Sequence, residues 1–364
     1  MDPQPRVAVV GAGIVGLCTA YALVERGVPV RVYEQGVPGN AQSGGHGRIF
    51  RHAHVDPRLV ADAQDSRAIY TEWGQSLGVE LVSGDGALAI GPAVETHLPR
   101  LRRAGVPARR VGAAELAELL PPLAGFDGPA MIDEQGGSIR TAAAVRALSE
   151  ALGERLVADE VLTVRPTDAG DVEVRSGGRT DRYERVVVCA GRGTAELARD
   201  LGLSLPIRHG AHVRLTFAVR GGPAPNLATL QDSSGDFGET GAYASAIPGN
   251  TAYGVGLSES CVAREDGSLL DPPALADLAD RTVDYVRKAL PGLSPDPVDV
   301  RHCRVTELPW GSDGIAVWER DGVLFPAGHN LFKQAPGLGR KLAAAADGGE
   351  LPQALRPEAE LGAA

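Results

Sequence analysis

A glycine-rich turn directly after the first apolar strand constrains the fold of this chain more than any other feature. Residues 7–10 form a short apolar run typical of a buried parallel strand, and Gly11, Gly13 and Gly16 follow in the spacing G-x-G-x-x-G. Residues 17–33 then show helical spacing of apolar side chains and a second strand. In such a unit the first glycine permits a tight turn, the second admits a pyrophosphate, and the third allows close helix packing. The opening segment therefore predicts a Rossmann-type βαβ unit.

An acidic residue at the end of the second strand extends this prediction to a dinucleotide. Glu34 lies 23 residues after Gly11, where a carboxylate accepts hydrogen bonds from ribose hydroxyls. Ile14 and Val15 open the helix whose free N–H groups and dipole face the phosphates. The same fingerprint serves FAD and NAD, so these residues alone leave the cofactor open.

Length and composition exclude several classes of protein. The 364 residues are long enough for two joined domains, and the net charge of −10 with dispersed basic residues argues against a nucleic-acid surface. No apolar run approaches the roughly 18 residues of a membrane span, and no secretory signal begins the chain. Four widely spaced cysteines predict neither a disulfide framework nor a metal site. We expect a cytoplasmic protein with reduced thiols.

The order of predicted elements suggests that the dinucleotide domain is assembled from separated pieces. Strand–turn–helix patterns return near residues 185–200 and 323–346, with a strand-rich segment between them. The predicted fold class is α/β: a Rossmann-like domain plus a substrate domain with a mixed, largely antiparallel sheet. The expected boundaries are listed here: residues 1–85, 141–210 and 300–350 for the first domain, 86–140 and 211–299 for the second, and a frayed tail at 351–364.

Four further motifs carry a family resemblance. They are residues 43–53 (SGGHGRIFRHA), 186–191 (VVVCAG), 301–306 (RHCRVT) and 327–339, which begins AGHNLFK. In this order, and over nearly the whole chain, they resemble the monomeric sarcosine oxidases and related amine oxidases of the D-amino-acid-oxidase superfamily. The resemblance implies a glutathione-reductase-type flavoprotein that binds FAD. It also implies hydride transfer from a neutral amine to flavin N5, hydrolysis of the imine, and reoxidation by dioxygen to hydrogen peroxide.

The resemblance also assigns roles to individual residues. Arg51 and Lys333 would bind the substrate carboxylate, Tyr243 would contact the substrate, and Arg48 would lie over the flavin ring, so that Arg48, Arg51 and Lys333 form the expected catalytic set. The alternative is that the arginines and the lysine are solvated surface groups. The residues expected to contact FAD are Gly11, Gly13, Ile14, Val15, Gly16, Glu34, Ser43, Arg48, Val161, Ala190, Gly191, Cys303, Gly328, Asn330, Leu331, Phe332 and Lys333.

Two positions set this chain apart within the resemblance. Cys303 stands where sarcosine oxidases attach FAD covalently, but Val305 replaces the aromatic residue found there two positions later; the alternative is a buried, inert thiol. Gly254 stands where those enzymes carry a lysine that promotes the reaction with oxygen, so that cation is expected to be absent. The small residue would leave room for a substrate larger than sarcosine.

The predicted substrate is an amino-acid-like amine with a carboxylate, such as an N-substituted glycine or another secondary amine, with dioxygen as the second reactant. A dehydrogenase that uses another electron acceptor is one alternative, and an NAD-dependent dehydrogenase is a second. A non-catalytic or tRNA-modifying FAD-binding relative is a third, which the acidic net charge disfavours. We expect no nucleic-acid or membrane partner, and a monomer or small homo-oligomer.

Overall fold

The computed structural model describes residues 4–363, which form eight helices and twenty strands within that range. The helices are α1 (Ile14–Glu25), α2 (Pro57–Leu77), α3 (Ala93–Arg103), α4 (Ala113–Leu119), α5 (Thr141–Leu152), α6 (Thr194–Arg199), α7 (Pro272–Ala289) and α8 (Ala335–Ala346). The strands are β1 (Val7–Val10), β2 (Val30–Glu34), β3 (Arg48–Phe50), β4 (Ala87–Ile90), β5 (Ala108–Arg110), β6 (Ala130–Asp133), β7 (Gly137–Ile139), β8 (Leu156–Ala158), β9 (Val161–Pro166), β10 (Val172–Ser176), β11 (Thr180–Tyr183), β12 (Arg185–Val188), β13 (Arg208–Val219), β14 (Thr229–Asp232), β15 (Ala242–Ala246), β16 (Ala252–Leu257), β17 (Cys261–Val262), β18 (Leu293–Glu307), β19 (Ile315–Arg320) and β20 (Val323–Gly328).

A six-stranded sheet contains the predicted βαβ unit at its centre. Its order is β19-β20-β12-β1-β2-β8, and all neighbours are parallel except the pair β19 and β20. Side chains of β1 alternate between the two faces, as the period of a strand requires. Val7 and Val9 pack in the core formed with α1, α5 and α8, whereas Ala8 and Val10 pack towards β9–β11. The strands come from distant parts of the sequence, so the sheet depends on long-range pairing.

A second sheet of nine strands carries most of the antiparallel pairing. Its order is β17-β13-β16-β15-β14-β4-β6-β5, with β18 paired along the other side of β13. Only β14 and β4 run parallel within it. Helix α7 contributes Leu275, Leu278 and Tyr285 to its core. The predicted fold class, a Rossmann-like sheet with a mixed and largely antiparallel second sheet, is confirmed; the domain boundaries stay a prediction.

The C-terminal segment is ordered against the body of the protein, and the prediction of a frayed tail is wrong for residues 351–363. Leu351, Leu355 and Leu361 are buried in the core beside α1 and α8. The backbone N–H of Ile315 donates to the Leu361 carbonyl at 3.0 Å. Three leucines at wide spacing anchor the segment, although its Pro/Glu/Ala composition resembles that of a loose terminus.

The cysteines and the helices bear on the environment of the chain. All four cysteines are free thiols, and Cys18, Cys261 and Cys303 are buried. Across residues 4–363, none of the helices combines the length and apolar composition that crossing a membrane requires.

Candidate functional site

The turn between β1 and α1 forms the predicted dinucleotide cradle. Gly11 has φ of 98°, and a Cβ there would overlap the Cys189 carbonyl, while a Cβ at Gly16 would overlap the Gly11 carbonyl. The protein's own packing therefore requires glycine at both positions. Gly13 differs: it caps α1 with φ of −71°, and an added Cβ would approach only Ser43 Oγ, at 3.3 Å. Because the chain does not need glycine at this position, the missing Cβ fits a ligand that approaches the backbone closely, as the predicted pyrophosphate does.

Two polar side chains hold the rim of this cradle. Ser43 Oγ accepts a hydrogen bond from the Ile14 N–H at 2.9 Å. Glu34 accepts from the Ala12 N–H at 2.8 Å and from the Gly36 N–H at 2.9 Å, so its carboxylate is fixed at the carboxyl end of β2. This is where the sequence predicts the ribose-binding acid, and a carboxylate held there can accept hydrogen bonds from ribose hydroxyls.

The other predicted contacts lie around the same turn. Ala190 lies against Gly11, and Gly191 takes φ of 57° at the end of β12. Val161 opens β9, just after Asp159, whose N–H donates to the Glu34 carbonyl at 3.0 Å. Among the remaining predicted cofactor residues, Val15, Gly328 and Phe332 are buried. Asn330 and Leu331 lie in the turn that follows β20.

Arg48 is the first residue of the short strand β3. Its Nη2 donates to the Gln42 carbonyl at 3.2 Å and the Gly44 carbonyl at 3.0 Å, which ties the guanidinium to the cradle loop. Its Nη1 is buried and has no hydrogen-bond partner within the described chain. A buried donor without a partner is costly, so this atom fits a ligand that accepts a hydrogen bond there.

A second arginine, which the sequence analysis missed, lies opposite Arg48. Arg214 is only 7% exposed and donates to the Gly47 carbonyl at 2.9 Å. A Cβ at Gly45 would lie 2.8 Å from Arg214 Nη2 and 3.5 Å from Arg48 Nη1, so both guanidinium groups approach one point. Arg214 also covers the space that Gly254 leaves: a Cβ there would lie 3.6 Å from its Cδ and 3.8 Å from its Nε. The strand that carries the glycine lacks a cation, as predicted, but the neighbouring strand supplies one.

Cys303 belongs to a polar group between β13 and β18. The strand register places His212 directly opposite Cys303, and the Tyr243 hydroxyl lies 3.3 Å from His212 Nε2. Burial would raise the pKa of the Cys303 thiol, but a hydrogen bond with His212 and the charges of Arg214 and Arg301 outweigh burial and place it below its usual value. A thiol with a lowered pKa is more reactive than the inert alternative.

Arg51 and Lys333 converge on one carboxylate that the sequence analysis did not consider. Asp313 Oδ2 lies 3.2 Å from Arg51 Nη2, and Oδ1 lies 3.4 Å from Lys333 Nζ. His54 Nδ1 at 2.9 Å and Asn330 Nδ2 at 2.9 Å complete the contacts of this carboxylate. The side chains of Arg51 and Lys333 are 15% and 6% exposed, which rules out the alternative of solvated surface groups.

The electrostatics of this cluster follow from burial and close charges. Burial lowers the pKa of Lys333 to about 8, with Asp313 opposing the shift and Arg51 adding to it. Burial would raise the pKa of Asp313, but Lys333, Arg51 and His54 hold it well below its usual value. Mainly because of burial, the pKa of His54 falls to about 3. At neutral pH the cluster therefore contains two cations, one carboxylate and a neutral imidazole.

The site residues that the sequence analysis did not predict differ in how clearly the sequence signals them. His212 and Arg214 lie two positions apart on one strand, so the alternation of side chains along a strand places both on the same face. Asp313 sits in the turn sequence Gly-Ser-Asp-Gly, where an aspartate is normally explained by turn formation. Its role depends on contacts with residues far away in sequence.

The two polar groups meet at the turn after β20. The rings of His212 and His329 lie 6.2 Å apart, and His329 precedes the loop that carries Lys333. Arg48, Arg214 and Arg301 form no ion pair with a carboxylate in the part of the chain that the structure describes, whereas Arg51 and Lys333 do. The arrangement can therefore hold an electron-rich or anionic ring beside the unpaired arginines and a carboxylate-bearing molecule beside the paired cations.

Comparisons with known proteins identify relatives over most of the chain. The family model described as "DAO: FAD dependent oxidoreductase" matches residues 6–345. The peroxisomal sarcosine oxidase of Homo sapiens is 26% identical over 358 residues, covering 92% of this chain and 90% of that protein. The glycine oxidase of Geobacillus kaustophilus is 28% identical over 220 residues, covering 55% of this chain and 58% of that protein. The solved open form of NikD, an unusual amino acid oxidase essential for nikkomycin biosynthesis, superposes with a TM-score of 0.80 at 20% identity, over 98% of this chain and 97% of that one, which is a likeness of fold.

Proposed function

This chain belongs to the family of FAD-dependent oxidoreductases, and from that premise we propose that it oxidises the C–N bond of an amino-acid-like amine that carries a carboxylate. Membership identifies the cofactor as FAD rather than a nicotinamide dinucleotide. The proposed substrates are N-substituted glycines and other secondary amines, in keeping with the names of the sarcosine and glycine oxidases among its relatives.

One observation carries the proposal: Arg51 and Lys333, 282 positions apart in the chain, both reach the same carboxylate. The two side chains contact different oxygen atoms of one carboxyl group, as they could with the carboxylate of a substrate. Arg51 uses only Nη2 for Asp313 and makes no other side-chain hydrogen bond within residues 4–363, so Nε and Nη1 are free for a substrate. A substrate carboxylate can accept a charge-assisted hydrogen bond from either of these nitrogens, while Lys333 supplies the second positive charge.

The residues of the dinucleotide cradle would hold FAD, which would supply the two-electron chemistry that converts the amine to an imine; water then hydrolyses the imine. The protein's part is to orient the C–H bond and to control charge. Arg51 and Lys333 would fix the carboxylate end of the substrate. Together with Asp313 they leave one positive charge, which the substrate carboxylate balances. His54 is neutral and His329, whose pKa burial lowers to about 3, is neutral too, so neither adds to that charge.

Support for dioxygen as the acceptor comes from Arg214. A buried cation stabilises negative charge that develops during electron transfer to oxygen. Arg214 is fixed by the Gly47 carbonyl and has no carboxylate partner within the described residues, so its charge is not cancelled locally. The runner-up is a dehydrogenase that passes electrons to another acceptor.

The proposal is tested by incubating the FAD-loaded protein aerobically with a panel of primary and secondary amino acids. We expect oxygen uptake and hydrogen peroxide in equal amounts with at least one secondary amine. Flavin reduction without peroxide, followed by electron transfer to an artificial quinone, would select the dehydrogenase instead. Absence of flavin reduction by every amine in the panel would overturn the proposal.

A further inference from the structure

An internal carboxylate already neutralises one of the two cations that the proposed function assigns to the substrate. Asp313 contacts Arg51 and Lys333 through different oxygen atoms, so it lies between them. His54 and Asn330 donate to the same two oxygens, at 2.9 Å each. Four donors surround the Asp313 carboxylate, and together they keep it ionised.

The turn that carries Asp313 is held from behind by the C-terminal segment. The Trp310 Nε1–H donates to the Leu361 carbonyl at 3.2 Å, and the Gly362 N–H donates to Asp56 Oδ2 at 2.8 Å. Gly362 packs against the Asp313 carbonyl so closely that a Cβ there would lie 2.5 Å from its oxygen. The backbone of Asp313 is therefore fixed, and the four donors hold its carboxylate between Arg51 and Lys333.

The charged groups that face the carboxylate site leave it with a net positive charge. Arg51 and Lys333 contribute two positive charges and Asp313 one negative charge. Burial lowers the pKa of His54 to about 3 and that of His97 to about 4, so both imidazoles are neutral near pH 7. One positive charge remains for the ligand.

Resting on the proposed function, we infer that Asp313 is a specificity-determining residue: it limits this site to amines with one carboxylate and disfavours a second carboxylate close to the first. One negative charge on the ligand balances the cluster. A second would lie unpaired in a largely buried site beside Asp313, where like charges repel strongly. The substrate class is therefore a monocarboxylate amine with an uncharged or apolar remainder.

The test compares the binding of acetate and malonate, two acids that cannot reduce the flavin, by the change in the visible absorbance of the FAD-loaded protein. Asp313→Asn keeps the shape of the side chain and removes its charge. Asp321→Asn is the matched control, because Asp321 lies on an exposed turn with its side chain 59% exposed. We expect the wild type and the control to prefer acetate, and Asp313→Asn to shift the ratio of the two dissociation constants towards malonate by about tenfold or more.

A second variant works in the opposite direction and covers a failure of Asp313→Asn to fold. Asn330→Asp adds a negative charge beside Asp313 at a position with φ of 54°, which aspartate tolerates. It should weaken acetate binding by about tenfold and malonate binding by more. Unchanged ratios in both variants, with acetate still bound, would overturn the role of Asp313 alone. If neither acid perturbs the flavin of the wild type, the carboxylate site of the proposed function is wrong, and this inference falls with it.

Discussion

Replacing Gly13 by alanine should weaken FAD binding while leaving the protein folded. Gly13 has φ of −71° and ψ of 174°, which alanine adopts without strain, and the added Cβ would meet only Ser43 Oγ at 3.3 Å. The folded apoprotein should therefore lose less than about 1 kcal/mol of unfolding free energy, mostly from the poorer helix cap. A ligand phosphate held against the same backbone would meet the methyl group, and overpacking of this kind costs about 1–3 kcal/mol. The dissociation constant for FAD should rise roughly 5- to 150-fold, at about 1.4 kcal/mol for each factor of ten.

The assay is titration of the apoprotein with FAD, followed by quenching of flavin fluorescence, alongside thermal unfolding without FAD. Gly112→Ala is the matched control, because Gly112 also caps a helix with φ of −90° and ψ of 169° and has open space around its Cα. It should change stability by a similar amount and leave FAD affinity unchanged. If Gly13→Ala binds FAD as tightly as the wild type, the phosphate does not lie against this turn and the cradle has been misplaced.

Three further predictions concern the ring and substrate sides of the site. Lys333 is cationic below its pKa of about 8, so the affinity for acetate should be present at neutral pH and fall as the pH rises through 8. His54 and His329, with pKa values of about 3, stay neutral in that range. A Lys333→Met protein whose acetate affinity still falls near pH 8 would contradict the assignment. The reactive thiol of Cys303 predicts that yellow colour stays with the acid-precipitated protein and is released in Cys303→Ser; colour released from the wild type would favour the inert thiol. Arg214→Met should slow reoxidation of the reduced protein by oxygen about tenfold or more while flavin reduction changes less than about twofold, in stopped-flow absorbance; equal oxygen rates would exclude Arg214 from that step.

Local pattern was enough to predict the dinucleotide half of the fold. The strand, the glycines and Glu34 lie within residues 7–34, and their spacing can be recognised without any distant segment. These features needed no knowledge of distant pairing.

The rest of the site depends on which distant segments meet. Asp313 looks like a turn residue until β19 and β20 bring it to Arg51 and Lys333. Arg214 fills the space left by Gly254 only because β13 pairs with β16, a register that the sequence pattern does not specify. The tail was misjudged for the same reason, since the groove that buries Leu361 is built from segments elsewhere in the chain.

The most direct measurement of the central claim is anaerobic bleaching of the bound flavin by matched pairs of amines with and without a carboxylate, such as sarcosine and dimethylamine or proline and pyrrolidine. The account predicts that an amine bearing one carboxylate bleaches the flavin and that its partner without the carboxylate reduces it at least about a hundredfold more slowly at equal concentration, because the charge-assisted contacts of Arg51 and Lys333 are lost. Equal rates for both members of every pair, or no bleaching by any of them, would contradict it.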